Sequence, residues 1–105
     1  MSKEYNKITD MEVLKTYKEI MSDFHSKGAW IDNVPIPIMA MRLITSEYQI
    51  RKAYKNLAAK GYLELKKIPT HFEDYYNGLY DESRAILWTR AYVLTDKAED
   101  YFKRG

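Results

Sequence analysis

The sequence predicts a single mixed α+β domain, mainly helical, built from a three-helix core, a β-hairpin and a C-terminal helix. Three observations predict it. Two helix-start signatures, Thr9 with Glu12 and Ser46 with Gln49, each precede apolar residues spaced three and four apart. No helix breaker interrupts residues 46–60 before Gly61. Two runs rich in branched and aromatic residues, 62–68 and 85–94, follow that glycine. A chain of 105 residues holds one core, so residues 1–105 are read as one domain.

The first helix should begin at Thr9, because its hydroxyl and the Glu12 carboxylate can each satisfy an orphan amide, and run to about Lys27. Val13, Leu14, Tyr17, Ile20, Met21 and Phe24 form one apolar stripe, while Lys15, Lys18, Glu19 and Asp23 face water. Gly28 stops it. Residues 29–34 read as a short extended piece leading to Pro35 and Pro37. Proline is tolerated in a helix's first turn, so a short second helix begins near residues 36–38 and ends at Arg42. Residues 43–45 separate it from a third helix, 46–60, with Ile50, Ala53, Tyr54 and Leu57 inward and Gly61 as the left-handed cap. The runs 62–68 and 85–94 then pair as a hairpin across a long connection. Thr95-Asp96-Lys97 opens the last helix, whose apolar side is Ala98, Tyr101 and Phe102.

Composition excludes several function classes. Apolar residues make up 46% and charged residues 30%, with four Gly and three Pro, which fits a folded domain rather than a disordered chain. The absence of cysteine excludes a disulfide framework, a thiolate zinc site and a cysteine nucleophile. No apolar run approaches the ~20 residues of a membrane span, and the first ten residues alternate charges where a signal peptide carries an apolar core. A cytoplasmic protein without a membrane partner is expected. His25 and His71 lie far apart, and no nucleophile triad, phosphate-cradling glycine run or metal-ligand spacing occurs. Neither enzyme activity, a cofactor nor a metal is therefore expected.

The net charge of +2 conceals two opposed blocks. Residues 35–68 hold Arg42, Arg51, Lys52, Lys55, Lys60, Lys66 and Lys67 against Glu47 and Glu64, whereas residues 69–83 hold Glu73, Asp74, Asp81 and Glu82 without a Lys or Arg. On the third helix, a 100° turn per residue puts Tyr48, Lys52, Lys55 and Ala59 opposite the apolar stripe, flanked by Gln49, Arg51 and Asn56. Arg, Gln and Asn carry donors that match base edges, and Lys neutralises phosphate. Ser46, Tyr48, Gln49, Arg51, Lys52, Lys55 and Asn56 are accordingly candidates for contact with double-stranded DNA, with Lys66, Lys67 and Arg84 placed to reach phosphates from the hairpin base.

Met39, Ala40, Leu43, Ser46, Ile50, Arg51, Ala53, Leu57 and Gly61 together resemble the helix-turn-helix of the GntR-type winged-helix regulators. The ending Tyr92-Val93-Leu94-Thr95-Asp96-Lys97-Ala98 is similar to the strand-to-helix junction of MarR- and PadR-like winged helices. The resemblance covers about half the chain and implies a winged helix-turn-helix fold, with the helix-turn-helix over about 36–60 and the wing over about 62–94. It carries Arg51 over as a DNA contact and Ser46 as a cap near a phosphate. Glu47 and Pro37 stand where that family usually has arginine, so no DNA reading is carried over to those positions. At 105 residues, the ligand-binding domain of a full GntR-family regulator is not expected.

The expected function is that of a sequence-specific DNA-binding transcriptional regulator, with helix 46–60 in the major groove. A homodimer is expected from surplus apolar surface, through the arm at residues 5–8 and Tyr17, Trp88, Tyr101 and Phe102. Phosphate would repel the acidic, tyrosine-rich stretch 69–83. A protein partner at this acidic wing is the alternative, making the chain a winged-helix interaction module or a DNA mimic. A phage or plasmid replication or partition accessory is the nearest alternative within nucleic-acid binding.

Overall fold

The computed structural model of the chain describes residues 7–28, 33–70 and 87–104, with backbone alone at 69–70 and 87–89. The described residues form a mixed α+β structure, mainly helical: α1 (Asp10–Ser26), α2 (Ile36–Leu43), α3 (Glu47–Ala59), β1 (Leu63–Thr70), β2 (Leu87–Leu94) and α4 (Asp96–Arg104). The extended piece expected at 29–34 lies outside them except for Asn33 and Val34.

Helix α1 opens on the capping box that Thr9 and Glu12 predict: Thr9 Oγ1 accepts from the Glu12 amide at 3.1 Å, and the Thr9 amide donates to the Glu12 carboxylate at 3.5 Å. Helix α2 takes both prolines in its entry, Pro35 as the cap and Pro37 within the first turn, where no intrahelical donor is lost. It ends at Ile44, which adopts φ 52° and ψ 60°, while the amides of Ile44 and Thr45 both close onto the Ala40 carbonyl. That left-handed position usually holds glycine. Helix α3 starts on Ser46, whose Oγ accepts from the Gln49 amide at 3.2 Å. It ends in a Schellman closure, Gly61 N–H to Ala58 O and Tyr62 N–H to Leu57 O, with Gly61 at φ 86°.

The strands pair antiparallel in register, Leu63 opposite Leu94 through Thr70 opposite Leu87. At the foot of the pair, Thr95 caps α4 by accepting from the Ala98 amide at 3.3 Å, and its hydroxyl donates to the Gly61 carbonyl. The Thr95 amide donates to Tyr62 O, and Lys97 Nζ donates to Lys60 O at 2.6 Å while standing 4.7 Å from the Tyr62 ring centre. The start of α4 is thus fastened to the end of α3.

One core fills the space between these elements: Val13, Leu14, Tyr17 and Ile20 of α1, Met39 and Ala40 of α2, Ile50, Ala53, Tyr54 and Leu57 of α3, with Val34, Leu63 and Ala98. At its centre the Tyr54 ring lies 5.9 Å from Tyr17 and 5.5 Å from Tyr92, each pair tilted, which suits the ring quadrupoles. The hydroxyls are satisfied by backbone: Tyr17 donates to Tyr92 O and accepts from the Val34 amide, and Tyr54 donates to Val34 O. Tyr17, read from the sequence as a dimer contact, is therefore a core residue with no exposed surface. An apolar stripe at helical spacing marks what is buried without telling a subunit contact from the chain's own interior.

Candidate nucleic-acid interface

Because Ile50, Ala53, Tyr54 and Leu57 are buried against α1, α2 and β1, the other side of α3 must face solvent. Tyr48, Arg51, Lys52, Lys55 and Ala59 are all exposed there, Tyr48 by 70%. Tyr48 to Lys55 covers about 10 Å along the helix axis at 1.5 Å per residue. Among the described residues the ion pairs are Lys18 with Glu99, Arg42 with Asp23 and Lys60 with Asp10; Arg51, Lys52 and Lys55 belong to none of them. Three cations and a phenol are thus held on the exposed face of α3, outside the ion pairs of the described residues.

The remaining expected residues fall into three groups. Ser46 caps α3 and is half-buried, and Gln49, next to it, is half-buried too. Asn56 is exposed, but its side-chain amide donates to Asp10 Oδ1 at 3.5 Å, and Lys60 holds the other oxygen of the same carboxylate at 3.3 Å. Asp10 therefore places a negative charge beside Asn56 and Lys60 at the end of α3 and leaves the open cationic face to residues 48–55. Lys66 and Lys67 are exposed on β1, where strand alternation turns them to opposite faces of the pair.

Lys67 stands directly opposite Arg90 of β2, which is also exposed. Like charges facing each other across a strand pair are destabilising, and no acid sits at the diagonal positions Leu65 and Pro69. The repulsion falls if an anion lies over both. Sequence reading passed over Arg90, since its pairing with Lys67 depends on a register that spans residues far apart in the chain.

A second feature went unread. Met41 is 80% exposed and Ile44 65% exposed, immediately before exposed Tyr48, with Ile38 one turn earlier on α2. The signal lies in the composition of α2: Ile36-Pro37-Ile38-Met39-Ala40-Met41 has more apolar residues than an eight-residue helix can turn inward.

Of the expected dimer residues, Tyr101 is 44% exposed with its ring against Tyr62 and Phe102, and Phe102 is half-buried. The Trp88 backbone pairs with Pro69; its side chain lies outside the described residues. So do Arg84, residues 5–6 of the expected arm and residues 71–83 of the acidic stretch, whereas Ile8 packs on the core. Among the described residues no group of three or more His, Asp or Glu could hold a metal ion, and no helix is long and apolar enough to cross a membrane. No protein-family model, curated protein or solved structure matches the chain.

Proposed function

We propose that the chain is a winged helix-turn-helix DNA-binding protein, a sequence-specific transcriptional regulator whose α3 enters the major groove. The observation that carries this is the outer face of α3, where Tyr48, Arg51, Lys52 and Lys55 are exposed and the three cations share in none of the described ion pairs. A groove about 12 Å wide admits one helix, and a duplex presents one charge per ~1.7 Å of axis, so a face of this length meets several phosphates. Short α2 braces α3 from behind, and the Lys67–Arg90 juxtaposition adds positive charge on the strand pair, where a wing flanks the groove.

In this reading two copies associate through α4, with Tyr101 and Phe102 at the contact, and their α3 helices address half-sites about one DNA turn apart. The experiment is a titration of mixed-sequence duplex against the full chain at rising salt. With Arg51, Lys52 and Lys55 each displacing a counterion, the logarithm of the binding constant should fall against that of salt with a slope of about −3 or steeper. An absence of binding even at low salt would overturn the proposal.

A further inference from the structure

Helix α3 carries a single acid among its 13 residues, Glu47, at the first helical position directly after the Ser46 cap. Its side chain is exposed. The positive end of a helix stabilises a carboxylate anywhere in the first turn, but this one also stands four residues before Arg51, which makes the two side chains neighbours on the helix surface. Tyr48, Lys52 and Lys55 continue the same exposed surface. Glutamate ahead of arginine at this spacing is the favourable order for an ion pair, yet neither Glu47 nor Arg51 belongs to the ion pairs of the described residues. A group that only accepts hydrogen bonds and one that only donates them thus stand side by side at the start of α3.

Resting on the DNA-binding reading above, we infer that Glu47 is a specificity-determining residue that accepts a hydrogen bond from N4 of a cytosine in the major groove. The first residues of an inserted helix lie nearest the base edges. Guanine presents N7 and O6 there and thymine O4, all acceptors, so a carboxylate is repelled by both. Adenine presents the N6 donor with the N7 acceptor beside it, whereas cytosine presents the N4 donor alone. A carboxylate therefore ranks cytosine first and rejects guanine and thymine, discriminating as much by repulsion as by attraction. Against phosphate the same group would only weaken binding, so the acid is favourable at a base edge and unfavourable elsewhere on a duplex.

The experiment selects bound duplexes from a random pool with the full-length chain, then remakes the selected site with N4-methyldeoxycytidine at each cytosine in turn. That base still pairs with guanine but carries a methyl where the major-groove N–H stood. Wild-type binding should weaken about tenfold at one cytosine, the loss of one base contact. Glu47→Ala should bind the methylated and unmodified sites equally, and Glu47→Gln, which gains amide donors, should accept adenine at that position. A carboxylate that serves only the helix would, in either variant, lower the melting temperature and leave base preference as in wild type. That result, or wild-type binding indifferent to the methyl at every cytosine, would overturn the role of Glu47 and leave the DNA-binding proposal standing. No duplex binding at any salt would overturn both.

Discussion

The Tyr54 hydroxyl donates a 2.8 Å hydrogen bond to the carbonyl of Val34, joining the buried face of α3 to the residue that leads into α2. Tyr17 completes the clasp from α1 by accepting from the Val34 amide. Both backbone groups of one buried residue are thereby satisfied by phenols from two different helices, which ties the segment entering α2 to α1 and α3. Tyr54→Phe should destabilise the fold by about 1–3 kcal/mol, because Val34 O is left buried without its donor. Burial, with Tyr17 beside it, holds the Tyr54 phenol well above the usual tyrosine range. Below about pH 10 it is neutral in both states and adds no pH dependence; above that, the unfolded chain releases a proton the folded one retains, so stability falls as pH rises. Denaturant melts at pH 7 and pH 10.5 should show the variant less stable at the first and less steeply weakened between the two.

Ile44→Gly should raise the melting temperature by a few degrees. The left-handed residue costs about 1–2 kcal/mol with a Cβ, glycine gives back about 0.5–1 of that in unfolded-chain entropy, and little packing is lost at an exposed position. Ile44→Ala keeps the Cβ and should gain less. A lower melting temperature for the glycine variant would show that the Ile44 side chain contributes to the fold itself.

Removing one charge from the facing cations tests whether they repel. Arg90→Thr should stabilise the free protein by roughly 0.2–1 kcal/mol at low salt, with the gain shrinking as salt screens the pair. The same variant should bind duplex DNA more weakly, so stability and affinity move in opposite directions. Thermal melts and binding at two ionic strengths read both.

Asp10→Asn removes a carboxylate from beside the C-terminal half of α3. As the lost contact with Lys60 is a surface ion pair, stability should change by no more than about 1 kcal/mol. Affinity for duplex should rise modestly, about two- to threefold at low salt, because Lys60 loses its anionic partner and a repulsive charge is gone.

Local signals were legible where the cause of structure is local. The Thr9–Glu12 box, the prolines entering α2, the Ser46 cap and Gly61 each act within a turn of their own position, and the stripe Ile50, Ala53, Tyr54 and Leu57 follows from helical period alone. What was not legible depends on partners distant in the chain. Tyr17 reads as part of an apolar stripe and as a dimer contact, yet its hydroxyl is held inside the chain by Val34 and Tyr92, the latter 75 residues away. Asn56 reads as a base reader until Asp10, 46 residues earlier, is seen to hold it. Ile44 is the opposite case: the left-handed turn is local, but no glycine or asparagine announces it.

The most direct measurement compares charge reversals on and off the proposed face. Lys52→Glu with Lys55→Glu, both exposed and outside the core, should leave the far-ultraviolet circular dichroism unchanged, weaken duplex binding at least tenfold and reduce its salt slope by about 2. Lys15→Glu with Lys27→Glu, exposed on α1 and at its C-terminal cap, should shift binding far less and leave the slope near that of wild type. A folded Lys52 and Lys55 double variant that binds DNA with wild-type affinity and salt slope would contradict the account.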